Sequence, residues 1–188
     1  MGVRDDSEHT LMARIASGDH AACRLLVDRY LGQIVAYARR ILGDREAAED
    51  VAQETFVRLW THAARWEPRN AKVGTWLHRV AHNLCIDRLR KRREVLMDEP
   101  PERPDPAAGA DEVLHQAGIA KVVAAALAEL PDRQRAAITL CHQQELGNIE
   151  AAEVMGVSVE ALESLLTRGR RKLRESLRDR VPDLLGEL

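Results

Sequence analysis

Aromatic side chains make up only 3% of this chain: three Trp, two Tyr and one Phe. Beside 31% charged residues, rich in Arg, Glu and Asp, that scarcity argues against sheets and for helices. Cysteine is equally sparse. Cys23, Cys85 and Cys141 are odd in number and far apart, with no Cys-x-x-Cys, so neither a disulfide framework nor a zinc knuckle is signalled. Burial as small apolar residues is the expected role of all three. No stretch approaches the roughly 18 apolar residues of a membrane span, and Met1 to Asp6 lack the apolar core of a signal peptide, so a cytoplasmic protein with no membrane insertion is expected. A Gly-rich phosphate loop, a nucleophile elbow and an acid pair are all missing, which leaves catalysis without support. Net charge is close to balance at -2, yet the charges are segregated. Acidic residues gather at Asp44 to Glu54 and Asp98 to Glu112, basic ones at Arg88 to Arg93 and Arg168 to Arg180.

At 188 residues and 45% hydrophobic content, the chain has enough apolar surface for one medium domain or two small ones. The boundary is marked by proline. Pro100, Pro101, Pro104 and Pro106 are four of the seven prolines and fall among acids between Asp98 and Glu112. Proline removes a backbone donor and disfavours helix in the residue before it, so this reads as an extended linker. Upstream, helical spacing of apolar residues predicts a short helix over Ser7 to Ala16 and long ones over Asp19 to Leu42, Arg45 to Arg65 and Thr75 to Leu96. In the first long helix the stripe is Leu25, Leu26, Tyr30, Ile34, Val35, Ala38, Ile41 and Leu42. Gly43-Asp44 ends it. Downstream, helices are expected at Val113 to Glu129 and Asp132 to Gln144, with Pro131 at the entry to the second. The expected fold is all-α: two small helical bundles, residues 1–96 and 113–188, joined by a flexible proline-rich linker over 97–112.

Three patterns carry chemistry. From Asn148 onward a short helix, a turn at Gly156 and a second helix capped by Ser158 form a helix-turn-helix, whose second helix can enter a major groove. The same shape also occurs in bundles that touch no DNA, but the cations Arg168, Arg170, Arg171, Lys172 and Arg174 favour the DNA reading. On the second long helix Glu46, Asp50, Gln53, Glu54 and Val57 share one side. That spacing suits either a solvated acidic face or a docking strip for a basic helical protein. On the third, Arg88, Arg90, Lys91, Arg92 and Arg93 exceed what complementing a helix dipole requires and suit phosphates. Upstream lie Trp76, Arg79, His82 and Asn83, which combine stacking and hydrogen-bonding groups; an Asn presents both a donor and an acceptor to a base edge. A rival use of this helix is metal binding by His78, His82 and Cys85 at i, i+4 and i+7. Arg79 stands where a zincin would carry its Glu, and no fourth ligand is near. Two basic modules on one tether gain from effective concentration, so neither need bind tightly alone.

Taken together, these residues resemble the extracytoplasmic-function sigma factors, compact members of the sigma-70 family with only domains two and four. Ala48-Glu49-Asp50-Val51-Ala52-Gln53-Glu54-Thr55-Phe56-Val57-Arg58-Leu59-Trp60 is similar to region 2.2, and Thr75 to Arg90 to regions 2.3 and 2.4. Leu130-Pro131-Asp132-Arg133-Gln134-Arg135 resembles the start of region 4, and Asn148 onward its DNA reader. The resemblance implies a promoter-specificity subunit rather than an enzyme. Its partners would be core RNA polymerase (the β′ coiled coil and the β flap), promoter DNA and an anti-sigma factor, with no cofactor. Glu46, Asp50, Gln53, Glu54 and Val57 would hold polymerase. Trp76, Arg79, His82, Asn83, Arg88, Arg90, Lys91, Arg92 and Arg93 would serve the minus-ten element, with the loop Trp66 to Gly74 holding a flipped base. Ser158, Ser164, Thr167, Arg168, Arg171 and Lys172 would serve the minus-thirty-five element, and the acidic linker would thread the polymerase channel. One departure stands out: Glu160 and Glu163 occupy the first turns of the recognition helix, where the family usually carries a basic residue. Base reading there shifts to Ser164, Thr167, Arg168 and Arg171. The alternative outside this family is a helix-turn-helix regulator acting without polymerase.

Overall fold

The structure, a computed structural model, describes residues 7–67, 72–98 and 116–185. In the first part α1 (Glu8–Ala16), α2 (His20–Leu42), α3 (Arg45–His62), a 3-10 turn (Ala63–Arg65) and α4 (Val73–Asp98) follow one another. In the second come α5 (Gln116–Ala128), α6 (Asp132–Ile138), a π-type turn (Thr139–Gln143), α7 (Asn148–Met155) and α8 (Val159–Leu185). No strand occurs among the described residues. The linker lies outside them, except that α4 runs on through Asp98 where the linker was expected to begin.

Polar residues set several helix starts. Asp19 caps α2 by accepting from Ala21 N at 2.8 Å and Ala22 N at 3.2 Å, and Asp44 caps α3 by accepting from Ala47 N at 2.8 Å. The Ala22 amide first, then the Arg14 side chain, hold the Asp19 carboxyl below the usual range. In the helix-turn-helix Gly156 takes φ 61°, a left-handed turn that a side chain strains against. Ser158 Oγ then accepts from Ala161 N at 3.2 Å, as its place in the sequence predicts.

Leu26, Ile34, Tyr37 and Ile41 of α2, Val51 and Leu59 of α3 and Leu77 and Ala81 of α4 are fully covered, with Leu11, Met12 and Ile15 of α1 closing one end. The second bundle centres on Leu127, Leu130, Ile138, Leu140, Val154, Leu162 and Leu166. Two expectations change here. Leu25, placed on the buried stripe of α2, is 43% exposed, whereas Tyr37, absent from that stripe, is fully buried. A 23-residue helix that packs on α1, α3 and α4 and also meets the second bundle turns more than one narrow stripe inward, and spacing alone does not say which edge stays wet. The helix expected over Asp132 to Gln144 also breaks, at Thr139, into the π-type turn.

The two bundles touch. α7 packs on α4, and α6 approaches α2. Lys72 Nζ lies 2.8 Å from Glu150 Oε1, and Arg93 pairs with Asp132. The Lys72 ammonium holds the Glu150 carboxyl below its ordinary value, while Glu150 raises that of Lys72.

Candidate polymerase and nucleic-acid interfaces

The acidic strip stands in the open. Glu46, Asp50 and Gln53 are exposed, Glu54 is half-buried, and Val57 is 50% exposed. Glu54 accepts from Arg58 Nε at 2.8 Å one turn on, and Arg45 and Glu49 pair likewise. Such exposed pairs contribute little stability. Beside the strip, α2 and α3 leave an apolar hollow of about 470 Å³, lined by Cys23, Val27, Leu31, Phe56, Trp60 and the strip's own Gln53 and Val57. His20 stacks on Trp60 at its edge, ring centroids 4.8 Å apart. Sequence reading missed this hollow. Its signal was the second apolar edge of α2, where Leu31 is 41% exposed.

On α4 the structure separates the candidate DNA residues. Arg79, Asn83, Arg90, Lys91 and Arg92 are exposed, and Arg88 is half-buried. Arg90 lies 3.1 Å from Asp87, and Arg93 is tied to Asp132 of α6. Trp76 is half-buried, stacked on His62 with centroids 5.1 Å apart and planes at 10°, and meets Trp66 edge-on. His82 stands apart from the rest. It is 6% exposed, turned toward α2, with Nδ1 2.7 Å from the Tyr37 hydroxyl. Burial, with the Arg133 charge added, holds it down to about 4.

His78 also points inward, its Nδ1 2.8 Å from Gly74 O, and burial lowers its proton affinity too. The thiol of buried Cys85 is pushed up to about 12 by burial. The three side chains behind the metal reading are all buried in the bundle, where each imidazole holds a protein partner through Nδ1. Among the described residues no group of three His, Cys, Asp or Glu side chains could hold a metal ion. Residues 68–71 of the loop expected to hold a flipped base lie outside the described residues.

Along α8, Leu162, Leu165 and Leu166 face the core, while Glu160, Glu163, Ser164, Thr167, Arg168, Arg171 and Lys172 share the outer side. Ser158 is exposed but already serves as the cap. Glu163 accepts from Asn148 Nδ2 at 3.4 Å, and the Glu160 backbone amide, then the Ser158 side chain, hold the Glu160 carboxyl below its usual range. The outer face is thus anionic in its first turns and cationic further along.

Residues 26–95 match the family model Sigma-70 region 2, and residues 120–173 match Sigma-70, region 4. The RNA polymerase sigma factor SigW of Bacillus subtilis, of the extracytoplasmic-function group, is 32% identical over 177 residues, spanning 88% of this chain and 94% of SigW. The chain belongs to the extracytoplasmic-function group of the sigma-70 family. SigE of Mycolicibacterium smegmatis, another sigma factor of this group, is also 32% identical, over 86% of this chain, which spans only 65% of the length of SigE. The structure of CnrH in complex with the cytosolic domain of CnrY has the same fold, with a TM-score of 0.69 at 30% identity over 93% of this chain and 99% of CnrH. Like other sigma factors, this one is a transcription initiation factor that works with RNA polymerase, not an enzyme. Its two matched regions fall on the two bundles, so the exposed strip of α3 and the cations of α4 lie in region 2 and the helix-turn-helix in region 4.

Proposed function

We propose that this sigma factor divides its work among three surfaces. The strip Glu46, Asp50, Gln53, Glu54 and Val57 docks on the coiled coil of the polymerase β′ subunit, with the adjoining hollow taking an apolar side chain from that partner. On α4, Arg79, Asn83 and Arg90 engage the minus-ten element, Trp76 walls its upstream end, and Arg88, Lys91, Arg92 and Arg93 hold backbone phosphates. Unstacking a base costs a few kcal/mol, so contacts made only to the opened strand convert binding energy into melting. On α8, Ser164, Thr167, Arg168, Arg171 and Lys172 contact the minus-thirty-five element, with most of the affinity coming from phosphates because Glu160 and Glu163 stand in the first turns. His82 acts from inside α4, as packing beneath these contacts.

The observation that carries this reading is the pairing of acid strip and apolar hollow on one open face of the first bundle. A DNA-binding regulator acting alone has no use for that face, whereas an anionic rim around an apolar centre is how a basic helical partner is held. CnrH was solved with a protein partner bound, and we extend that to an anti-sigma factor for this chain, acting in the cytoplasm. No helix among the described residues is long and apolar enough to cross a membrane.

Charge reversal tests the docking surface. Asp50→Lys with Glu54→Lys should abolish co-elution with core polymerase while circular dichroism shows an unchanged helical fold, since both side chains lie at the surface. Retained polymerase binding by the folded double variant would remove the strip from the account.

A further inference from the structure

The start of α4 has no capping side chain at the position just before it. The first amides of a helix need acceptors from outside it, and a Ser, Thr, Asp or Asn just before the helix usually supplies one. Here the residue before Val73 is Lys72, whose ammonium only donates. The missing acceptor comes from 65 positions earlier: Glu8 Oε2, on α1, accepts from Val73 N at 3.2 Å. The other oxygen of the same carboxylate accepts from the Tyr30 hydroxyl, and Arg29 Nη1 lies 3.9 Å from it. Tyr30 in turn lies against Gly74, so closely that a Cβ there would meet the ring at 2.9 Å. Burial, then the Glu8 hydrogen bond, push the phenol well above its ordinary value, which keeps it a neutral donor. The same α1 also packs against the 3-10 turn Ala63–Arg65 at the end of α3. One helix therefore braces both the exit of α3 and the entry of α4.

We propose that Glu8 is a positioning residue for promoter opening, fixing the first turn of α4 and with it the placement of Trp76 and Arg79. This rests on the assignment of α4 to the minus-ten element made above. The first turn sets the axis and rotation of everything beyond it. Trp76 lies three residues beyond Val73 and Arg79 six. A carboxylate at this end also complements the positive pole of the helix, and no proton need move for it to act. Glu150, through Lys72, sits near the same turn but belongs to the second bundle, so it leaves if that bundle swings away. Glu8 and Tyr30 lie in the same bundle as α4 and hold its start in any arrangement of the two.

The full chain with core polymerase tests this on two templates, a duplex promoter and the same promoter carrying a mismatched, pre-opened minus-ten segment. Glu8→Ala should leave co-elution with core unchanged and lower run-off from the duplex by about fivefold to tenfold, the size of a lost cap expressed in the opening step. On the pre-opened template it should come within about twofold of wild type, because the opening cost that α4 must meet is already removed. Glu8→Gln, which keeps an acceptor oxygen and guards against an unfolded Ala variant, should fall between the two, and Tyr30→Phe should follow Glu8→Gln. Equal losses on both templates, or none on either, would overturn the role of Glu8. A wild-type chain inactive with core on both would instead strike the sigma reading itself.

Discussion

His82 makes this protein acid-sensitive in a calculable way. It is covered by Tyr37 of α2 and lies near Arg133 of α6, with His78 and Cys85 sharing its side of α4 and Arg135 near Tyr37. An exposed imidazole takes its proton near 6.5, and burial first, then the Arg133 charge, hold His82 down to about 4. A tenfold change in proton affinity is worth about 1.4 kcal/mol, so the covered, neutral His82 carries about 3 kcal/mol of stability that acid can remove. The sign follows from which state binds the proton. Between about pH 6.5 and about pH 4 the unfolded chain is protonated there and the folded chain is not, so stability falls as pH falls through that window and is intact above it. The lowered proton affinity of His78 acts in the same direction.

The assay needs a probe confined to the bundle that holds His82, because two bundles need not unfold together. Nature supplies one: Trp60, Trp66 and Trp76 are the chain's three tryptophans, and all lie in the first bundle. Urea unfolding followed by their fluorescence should lose about 2 to 3 kcal/mol between about pH 7.5 and about pH 4.5 through His82. His82→Gln keeps an oxygen that accepts from the Tyr37 hydroxyl but takes no proton. It should cost about 1 kcal/mol at neutral pH through imperfect shape and lose correspondingly less in acid. Wild type and variant falling in parallel would refute the burial argument.

Two other predictions concern the second bundle. Gly156→Ala forces a Cβ into the left-handed turn and should destabilise that bundle by about 1 kcal/mol, read as a lower thermal midpoint by circular dichroism with the tryptophan transition unmoved. Replacing Arg168, Arg171 and Lys172 together by Ala should weaken DNA binding across sequences and reduce the slope of log affinity against log salt by about three, measured by fluorescence anisotropy; an unchanged slope would move the phosphate contacts elsewhere.

Local chemistry made most helix ends legible. Gly43-Asp44 and Gly156 with Ser158 stop and start helices by turn geometry and capping, which depend on a few adjacent residues. Segregated charge likewise marks α3, α4 and α8 in the sequence, and exposed side chains there bear the charges. What stayed hidden depends on distance along the chain. Glu8 caps α4 across 65 residues, so α4 begins two residues earlier than its own sequence predicts. His82 looks like a DNA-facing residue by composition, yet its rotation on α4 buries it against Tyr37 of α2. The apolar hollow needs Leu31 of α2 beside Val57 of α3, and the strip on α3 gives no sign of Leu31.

The most direct test of the account is to mix the purified chain with core RNA polymerase, follow co-elution by gel filtration, and assay the complex for promoter-dependent run-off. The account predicts a stable complex that yields discrete transcripts from specific start sites. A folded chain that binds DNA but neither co-elutes with core nor directs transcription would contradict it, leaving a helix-turn-helix regulator that works without polymerase.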